Sequence, residues 1–244
     1  MSQPLADRVA LVTGASRGIG AAIAVGLAEA GAHPILVART VGGLEEVDDR
    51  IQAAGGNATL VPLDLAEPEG IERLGASVFE RWGRLDVLVG NAGILGELAP
   101  VGHIDPEVWR CAFEVNVHAN WRLIRAFDPL LRRSDAGRAI FLTSTATQAL
   151  PPYWAAYSAS KAALEALVTT YAREVARTAI RVNLVNPGPT RTRIRAQAFP
   201  GEDPETLPSP EHLVPTLVRM AAPDFDGHGL RVAARGPDPL AGIS

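Results

Sequence analysis

The chain has 244 residues, of which 47% are hydrophobic and 20% charged, and its formal net charge is -4 at pH 7. These values are typical of a globular protein with a sizeable core, and the lack of a basic block argues against nucleic acid as the main partner. The single cysteine, Cys111, excludes an internal disulfide and is expected to be a small buried hydrophobe. No apolar run is long enough for a membrane span and no signal-peptide pattern is present, so we expect a cytoplasmic protein.

Short apolar runs that are typical of buried strands alternate with helical patterns along the chain. The runs predict strands over 8–14, 33–39, 58–65, 85–93, 138–145, 180–188 and 229–234. The helical patterns predict helices over 19–31, 42–56, 67–83, 106–133, 155–179 and 211–222. Pro129 is expected to end or kink the fourth of these helices.

This alternation is typical of a parallel, doubly wound sheet, because parallel strands need crossover helices and are covered on both faces. We therefore predict an α/β fold: a single-domain, Rossmann-type, three-layer α/β/α sandwich over residues 1–244 with about seven parallel strands. A small substrate loop region is expected at about 189–210, where prolines and charged residues interrupt the pattern. Ligands of such sheets bind at the carboxyl ends of the strands, so the chemistry is expected at that edge.

The loop after the first strand, "TGASRGIG" (13–20), carries three glycines between a strand and a helix. Gly14, Gly18 and Gly20 allow a tight turn, a close approach of the backbone to a diphosphate, and close packing of the helix on the strand. The helix N-terminus would then present N–H groups to the phosphates. A turn that merely needs glycine is the alternative, but the strand–turn–helix context favours a nucleotide site.

The end of the second strand indicates which dinucleotide is bound. An acidic residue there would hold the ribose hydroxyls of NAD, whereas this strand ends in Arg39, and Arg17 lies in the glycine loop. Two guanidinium groups suit a 2′-phosphate, so NADP(H) is favoured over NAD(H). The alternative is that both arginines are solvated surface residues. Asp64, at the end of the third strand, is placed to accept a hydrogen bond from the adenine amino group or to cap the next helix.

The segment "AAYSASKAAL" (155–164) places Tyr157 and Lys161 one turn apart on the same helix face. A tyrosine with its ordinary pKa of roughly 10 is a poor base at neutral pH, and a neighbouring ammonium together with an oxidised nicotinamide would lower that pKa. The small residues between the two leave room for a flat cofactor beside the helix. Taken alone, the pair is a weak signal, and a core tyrosine with a surface lysine is the more frequent explanation.

Six motifs in this order resemble those of the short-chain dehydrogenase/reductase family and together span nearly the whole chain. They are "TGASRGIG", "GNAG" (90–93), Asn116 in "EVNVHAN", Ser144 in "FLTSTA", "YSASK" and "NPGPTRT" (186–192). The resemblance implies an enzyme that transfers hydride between a nicotinamide cofactor and a small carbonyl compound or secondary alcohol.

The same resemblance implies a role for each of several residues. Tyr157 would be the general acid/base, Lys161 would lower its pKa and bind the nicotinamide ribose, and Ser144 would hydrogen-bond the substrate oxygen. Asn116 would hold a water that connects Lys161 to solvent. The implied cofactor-binding residues are Gly14, Ser16, Arg17, Gly18, Ile19, Gly20, Arg39, Asp64, Leu65, Asn91, Ala92, Gly93, Tyr157, Lys161, Pro187, Gly188, Thr190 and Thr192.

Three features depart from the family pattern. Gly90 stands where many members carry an asparagine, Thr190 stands where an aliphatic residue is common, and the C-terminal sequence lacks the usual Asp-Gly-Gly ending. These departures bear on substrate and assembly rather than on hydride chemistry. The segment 189–207 and the tail are similar to those of a bacterial subgroup, the YciK-like oxidoreductases.

The substrate pocket is expected beside the segments that follow the fourth and fifth strands and the loop after Pro187. Its predicted lining is mostly apolar: Leu95, Leu98, Ala146, Leu150, Trp154 and Phe199. Arg191, Arg193 and Arg195 would either receive an anionic substrate or face solvent, since alternate positions do not share one helix face. The spacing of His, Cys and carboxylate residues offers no metal site.

Two other functions fit the motifs less well. A catalytically silent NAD(P)-binding sensor or scaffold protein has no need of a tyrosine–lysine pair. A sugar-nucleotide epimerase or dehydratase needs a second lobe, for which the chain is short. The expected partners are a small-molecule substrate and further copies of the chain, because the resemblance implies a homodimer or homotetramer paired through helices 106–133 and 155–179. Neither nucleic acid nor a membrane is expected as a partner.

Overall fold

The computed structural model describes residues 3–235 and 239–242. Residues 1–2, 236–238 and 243–244, which belong to the predicted domain and partly to its unusual tail, lie outside the described residues. Within the described part, seven strands form one parallel sheet in the order β3-β2-β1-β4-β5-β6-β7, which confirms the predicted fold class. The strands are β1 Val9–Thr13, β2 His33–Ala38, β3 Thr59–Pro62, β4 Val87–Gly90, β5 Arg138–Leu142, β6 Arg181–Asn186 and β7 Arg231–Ala233.

Helices cover both faces of this sheet, and the predicted helices are found with shifted ends. The helices are α1 Gly18–Glu29, α2 Val41–Ala53, α3 Pro68–Trp82, α4 Pro106–Phe113, α5 Ala119–Leu131, α6 Ala146–Ala149, α7 Ala155–Val175, α8 Arg193–Ala198 and α9 Val214–Ala221. Short 3-10 turns lie at Val101–His103, Pro204–Thr206 and Pro210–Leu213. The short helices α6 and α8 were not predicted, because four to six residues are too few to show a helical period.

The segment 106–133, predicted as one helix, forms two helices joined by a π-turn over Glu114–His118. In a π-turn each N–H bonds to the carbonyl five residues back, which widens the backbone. Pro129 lies inside α5, which continues two residues further and ends at Leu131, so the proline itself neither ends nor interrupts the helix. The π-turn is where Asn116 enters the interior, since its side chain is fully buried there.

Successive residues of β1 point to opposite faces of the sheet and into two separate hydrophobic cores. Ala10 and Val12 join the core beneath α1, α2 and α9, whereas Val9 and Leu11 join the core beneath α3, α5 and α7. Both faces are therefore covered, which explains why the strands read as continuous apolar runs.

The chain changes direction across the sheet between β1 and β4. The first half builds outward from β1 to β2 and β3, and the second half builds the other way from β4 to β7. The loops after β1 and β4 therefore diverge and leave a crevice at the carboxyl ends of the strands, where ligands of doubly wound sheets bind.

Candidate functional site

The loop that follows β1 is tied to the end of β4 by one buried threonine. Thr13 Oγ1 donates to Val89 O at 3.2 Å and accepts from the N–H groups of Asn91 and Ala92 at 3.0 and 3.1 Å. The side-chain amide of Asn91 donates to Thr13 O at 2.8 Å. These bonds bring the predicted residues Asn91 and Ala92 against the predicted glycine loop. Thr13 itself was not predicted as a site residue.

The geometry of this loop requires its glycines. Gly14 and Gly18 have φ values of 65° and 55°, in the left-handed region that favours glycine. A Cβ at Gly20 would lie 2.3 Å from Gly14 O and 2.5 Å from Asn91 Nδ2, so a larger residue has no room there. The preceding residue, Arg17, does not cap α1 with its side chain, so the first N–H groups of the helix suit an anion. The loop therefore fits the diphosphate of a dinucleotide.

The two predicted arginines lie at the far end of the same crevice. Arg39 follows β2 directly and its side chain is 71% exposed, with Nη1 3.6 Å from Asp64 Oδ2. Arg17 Nη2 donates to Thr40 Oγ1 at 3.4 Å, so the Arg17 side chain extends to the residue that follows Arg39. Both guanidinium groups are accessible to a phosphate, and both are also as exposed as solvated surface arginines would be.

Asp64 does not cap the next helix, because α3 begins at Pro68 after Glu67. Its Oδ1 accepts from the N–H of Ala66 at 3.0 Å, while its Oδ2 faces Arg39. The helix-cap alternative is therefore wrong, and the carboxylate stays at the crevice. The remaining predicted residues of this region are half-buried or buried: Ser16, Ile19 and Leu65.

Tyr157 and Ser144 meet at the carboxyl end of β5. Tyr157 lies in the first turn of α7 and is 8% exposed, and Ser144 Oγ accepts from the N–H of Ala146 at 3.2 Å. Burial raises the pKa of Tyr157, and a hydrogen bond with Ser144 opposes that shift with a smaller effect. Burial disfavours the phenolate more than the Ser144 hydrogen bond favours it. The predicted lowering of the pKa, which requires the charge of an oxidised nicotinamide beside Tyr157, stays a prediction.

Lys161 is the only lysine of the sequence, and it is buried one turn further along α7, 3% exposed. Its Nζ donates to Leu142 O, at the end of β5, at 2.8 Å. Burial lowers the pKa of Lys161 to about 8, and the carboxylate of Glu165 opposes this shift. The alternative of a surface lysine is therefore wrong. At pH 7 the ammonium lies inside the site.

Asn116 is held in the π-turn with its amide group engaged on all sides. Its Oδ1 accepts from Ile94 N, and its Nδ2 donates to Ile94 O and Ser160 Oγ, all at 2.9 Å. A Cβ at Gly93 would lie 3.1 Å from Asn116 Oδ1 and 3.3 Å from Lys161 Nζ, so the absent side chain of Gly93 makes room for both. Ser160, one of the small residues between Tyr157 and Lys161, is buried against the π-turn.

The loop after β6 lies over the glycine loop. Thr190 Oγ1 donates to Pro187 O at 3.3 Å, and Gly188 has a φ of 69° that favours glycine. The Thr192 hydroxyl caps α8, and its methyl group lies 3.7 Å from the position that a Cβ at Gly18 would take. Of the four predicted residues of this loop, Thr192 is the one that packs against the glycine loop.

Glu165 connects α7 to the segment that carries Ser144, and no motif had singled it out. Its Oε1 accepts hydrogen bonds from the hydroxyls of Thr143 and Thr147, the latter at 2.9 Å, and pairs with the Arg231 guanidinium at 2.8 Å. The available signal was its position four residues after the lysine, which places both on one helix face.

A small apolar cluster packs around Tyr157. Its predicted members are Leu95, Leu98, Ala146 and Trp154. α8 adds Ile194 and Ala198, which were not predicted, and the ring of Phe199 contacts Trp154. Leu150 is not part of the cluster, because it is 65% exposed.

The neighbours of Gly90 and Cys111 explain two departures: Gly90 departs from the family pattern, and Cys111 departs from its predicted burial. A Cβ at Gly90 would lie 2.3 Å from the Phe141 ring and 2.6 Å from Asn120 Oδ1, so these side chains fill the space that an asparagine would need. Cys111, expected to be buried, is only half-buried on α4, with Sγ 3.4 Å from Glu107 Oε1. That prediction is wrong because the thiol lies beside an exposed carboxylate one turn earlier.

A separate cleft of about 550 Å³ opens at the opposite edge of the sheet, by the amino ends of the strands. Its lining includes Arg8, His33 and Trp82. Ligands of doubly wound sheets bind at the other edge, so this cleft is not the candidate site.

In the ranges 3–235 and 239–242, no three His, Cys, Asp or Glu side chains are grouped to hold a metal ion. No helix in these ranges has the length and apolar character that crossing a bilayer requires.

Comparisons with known proteins agree with this geometry. The family model described as short chain dehydrogenase matches residues 8–203. The oxidoreductase YciK of Escherichia coli K12 is 38% identical over 223 residues, which cover 90% of this chain and 88% of that protein. A short chain dehydrogenase from Salmonella enterica serovar Typhi aligns with a TM-score of 0.93 and 35% identity over 97% of this chain and 99% of its own. A short chain dehydrogenase from Escherichia coli CFT073, solved in complex with NADPH, gives a TM-score of 0.92 and 37% identity over 97% and 100% of the two chains.

Proposed function

The chain belongs to the short-chain dehydrogenase/reductase family, as its motifs predicted, and we propose that it transfers hydride between NADP(H) and a small carbonyl compound or secondary alcohol. Membership makes it an NAD(P)-dependent oxidoreductase. The observation that carries the proposal is the burial of Tyr157 and Lys161 together, next to Ser144, at the carboxyl end of β5.

In reduction, the Tyr157 hydroxyl donates its proton to the substrate carbonyl oxygen, and the Ser144 hydroxyl hydrogen-bonds the same oxygen as charge develops on it. When bound, the nicotinamide supplies or accepts the hydride at the substrate carbon. The raised pKa keeps Tyr157 protonated at neutral pH, as a proton donor must be. Lys161, charged below about pH 8, stabilises the phenolate that proton donation leaves behind.

The proton lost by Tyr157 has to be replaced through the protein. Both N–H bonds of the Asn116 amide are already used, on Ile94 O and Ser160 Oγ. We therefore assign the relay water to the main-chain carbonyl of Asn116, which accepts from Asn120 Nδ2 at 2.9 Å and keeps a second lone pair. Asn116 is thus proposed to connect Lys161 to solvent through its main-chain carbonyl rather than through its side chain.

NADP(H) is preferred over NAD(H) because Arg17 and Arg39 lie together at the ends of β1 and β2, and a 2′-phosphate can accept from both guanidinium groups. Two similar short chain dehydrogenases, from Shigella flexneri and Escherichia coli, were solved with NADP and NADPH respectively. The proposed cofactor contacts are the glycine loop, Asp64 with Leu65, the segment 91–93, and the loop after β6.

The assembly and organisation of the chain are also proposals. Residues 1–244 form one domain with a substrate region at about 189–210, since all described strands join one sheet. The exposed rings of Trp109 and Trp121 on α4 and α5 support a homodimer or homotetramer paired through the helical segments 106–131 and 155–175. Multi-angle light scattering of the purified protein tests this assembly. We also propose a cytoplasmic location.

The test of the function is NADPH oxidation with a panel of ketones, compared between the wild type and Tyr157→Phe. We expect turnover by the wild type and a loss of about 1,000-fold in kcat in the variant, with NADPH affinity changed less than twofold. A sensor or scaffold protein would bind NADPH with no turnover of any ketone. That result would overturn the proposal.

A further inference from the structure

The side chains of the cluster that packs against Tyr157 are apolar, and we call this cluster the wall. Leu95 and Ala146 are buried against the tyrosine, and four partly buried residues of the same kind pack on them: Leu98, Trp154, Ile194 and Ala198. The Trp154 ring stands edge-on to the Tyr157 ring, with centroids 6.0 Å apart and planes at 70°. A substituent on the substrate carbonyl would therefore lie against apolar and aromatic surface.

Phe199, directly after α8, extends this wall to the protein surface. Its ring centroid lies 5.5 Å from that of Trp154, and the residue is 39% exposed. Tyr157, Trp154 and Phe199 thus form an unbroken row of three rings from the hydroxyl to solvent. Such rows bind other rings well, because offset and edge-to-face pairs add to the gain from burial alone.

An ion pair holds Phe199 from the other side. The Arg195 guanidinium carbon lies 3.7 Å from the centroid of the Phe199 ring. Arg195 Nε and Nη2 donate to the two carboxylate oxygens of Glu202, each at 2.6 Å. Because this fork is bidentate, the guanidinium is fixed in orientation and the ring beneath it is fixed with it.

Ion pairs also bear on two of the three arginines whose role was left open, while the third, Arg193 at the start of α8, is exposed. Arg195 is neutralised by Glu202, and Arg191 is neutralised by Glu205 at 2.6 Å. An anionic substrate would have to displace a carboxylate of the same loop to reach either guanidinium. A carboxylate against the apolar wall would be buried without a partner, which is costly.

Two hydrogen bonds from neighbouring elements keep the wall in place. Gln197 Nε2, on α8, donates to Gly96 O at 3.1 Å. The N–H of Ala99 donates to Tyr153 O, next to Trp154, at 3.0 Å. Both bonds involve the segment after β4, so the segments that carry Trp154 and Phe199 are anchored to the same part of the chain.

Resting on the proposed function, we propose that this site selects neutral carbonyl compounds with an apolar, preferably aromatic, substituent, and that Trp154 and Phe199 determine this specificity. Arg195 and Glu202 are positioning residues that hold the Phe199 ring. They do not contact the substrate.

The test compares acetophenone with 4-acetylbenzoate, which differs by one carboxylate on the ring. For the wild type, kcat/KM with NADPH should be at least about 50-fold higher for acetophenone, because the buried carboxylate has no partner. Trp154→Ala and Phe199→Ala should each lower kcat/KM for acetophenone about tenfold through KM and change that for acetone less than threefold. Trp154→Phe, which keeps a ring, should recover most of the loss.

Phe79→Ala is the matched control, because Phe79 is another exposed phenylalanine under an arginine, with Arg133 5.2 Å from its ring. It should leave both substrates unchanged. Glu202→Gln should raise KM for acetophenone about threefold at constant kcat, whereas Glu205→Gln should not. Equal effects of the two glutamine variants would overturn the positioning role of the Arg195–Glu202 pair.

Binding separates this inference from the function on which it rests. Calorimetry with NADP⁺-loaded Tyr157→Phe should show acetophenone bound at least tenfold more tightly than 4-acetylbenzoate. This selectivity without turnover by the wild type would overturn the proposed function and keep the inference. Turnover of both ketones with equal KM, or a preference for the carboxylate, would overturn the inference and keep the function.

Discussion

The glycine loop is held by backbone groups and one buried hydroxyl, whereas the pocket wall at Trp154 is held by ring contacts and ion pairs near the surface. In the first region, Thr13 and Asn91 join two strands and leave no room for a Cβ at Gly20. In the second, Phe199 keeps more than a third of its surface exposed. A site built from backbone tolerates almost no substitution, while a site built from side chains can change its ligand by single substitutions.

The largest expected effect follows from adding one methyl group to the glycine loop. Gly20→Ala would place its Cβ within 2.3 Å of Gly14 O, so the loop has to move off the β4 end. We expect NADPH affinity to fall by roughly 100-fold or more, since overpacking of this kind costs about 1–3 kcal/mol and also displaces the anion site. Fluorescence titration with NADPH measures the change.

Gly42→Ala is the matched control for that experiment. Gly42 lies within α2 and a Cβ there would meet nothing within 4 Å. Because alanine favours a helix over glycine by about 1 kcal/mol, this variant should be slightly more stable with unchanged NADPH affinity. Normal NADPH binding by Gly20→Ala would contradict the picture of a loop fixed by backbone contacts.

The end of the crevice at Arg39 is exposed, so a single substitution there should change ligand binding, as at the Trp154 wall. Arg39→Ala removes a guanidinium that is proposed to bind the 2′-phosphate, and a lost charge-assisted bond costs about 1.5–3 kcal/mol. The Kd for NADPH should therefore rise about 10- to 100-fold while that for NADH changes little. Arg73→Ala, which removes an exposed arginine from α3, is the control. An equal loss for both cofactors would mean that Arg39 does not read the phosphate.

Glu165 shares features of both regions, because its side chain holds a segment of backbone in place. Its carboxylate orders the segment after β5 that bears Ser144. Glu165→Ala leaves Thr143, Thr147 and Arg231 without their shared acceptor. We expect kcat to fall about tenfold at constant NADPH affinity, because a small displacement of a catalytic group is costly. Glu165→Gln, which keeps an acceptor oxygen, should lose about half as much on a logarithmic scale. Glu107→Gln on α4 is the control, and an equal loss there would refute the role of Glu165.

The last prediction concerns protonation rather than turnover. Since Lys161 is the only lysine, ¹⁵N-lysine labelling should give one side-chain ζ resonance, and it should titrate near pH 8. The unfolded chain keeps this proton up to its ordinary pKa of 10.5, so it binds more protons than the folded state above pH 8. The free energy of unfolding should therefore rise with pH, by about 2 kcal/mol between pH 7 and 9.5, relative to Lys161→Met. Urea unfolding measures this difference, and a flat difference would contradict a depressed pKa.

The sequence predicted what depends on local pattern and missed what depends on register between distant segments. The strands were found because both sheet faces are apolar, and the glycine loop because a strand, a turn and a helix follow one another. The Glu165 cluster joins α7 to residues after β5 and to β7, and no local pattern specifies that alignment. The burial that raises the pKa of Tyr157 was missed as well, because it depends on α8 and the segment after β4 packing around the side chain.

The π-turn at Glu114–His118 was also missed, since five residues are too few to separate its period from that of an ordinary helix. The π-turn holds one residue more than a regular α-helix would have at this point. Deleting that residue would restore a regular α-helix and favour its formation, but would withdraw the Asn116 amide from Ile94. Replacing the π-turn by a regular helix would therefore raise thermostability and lower catalytic activity.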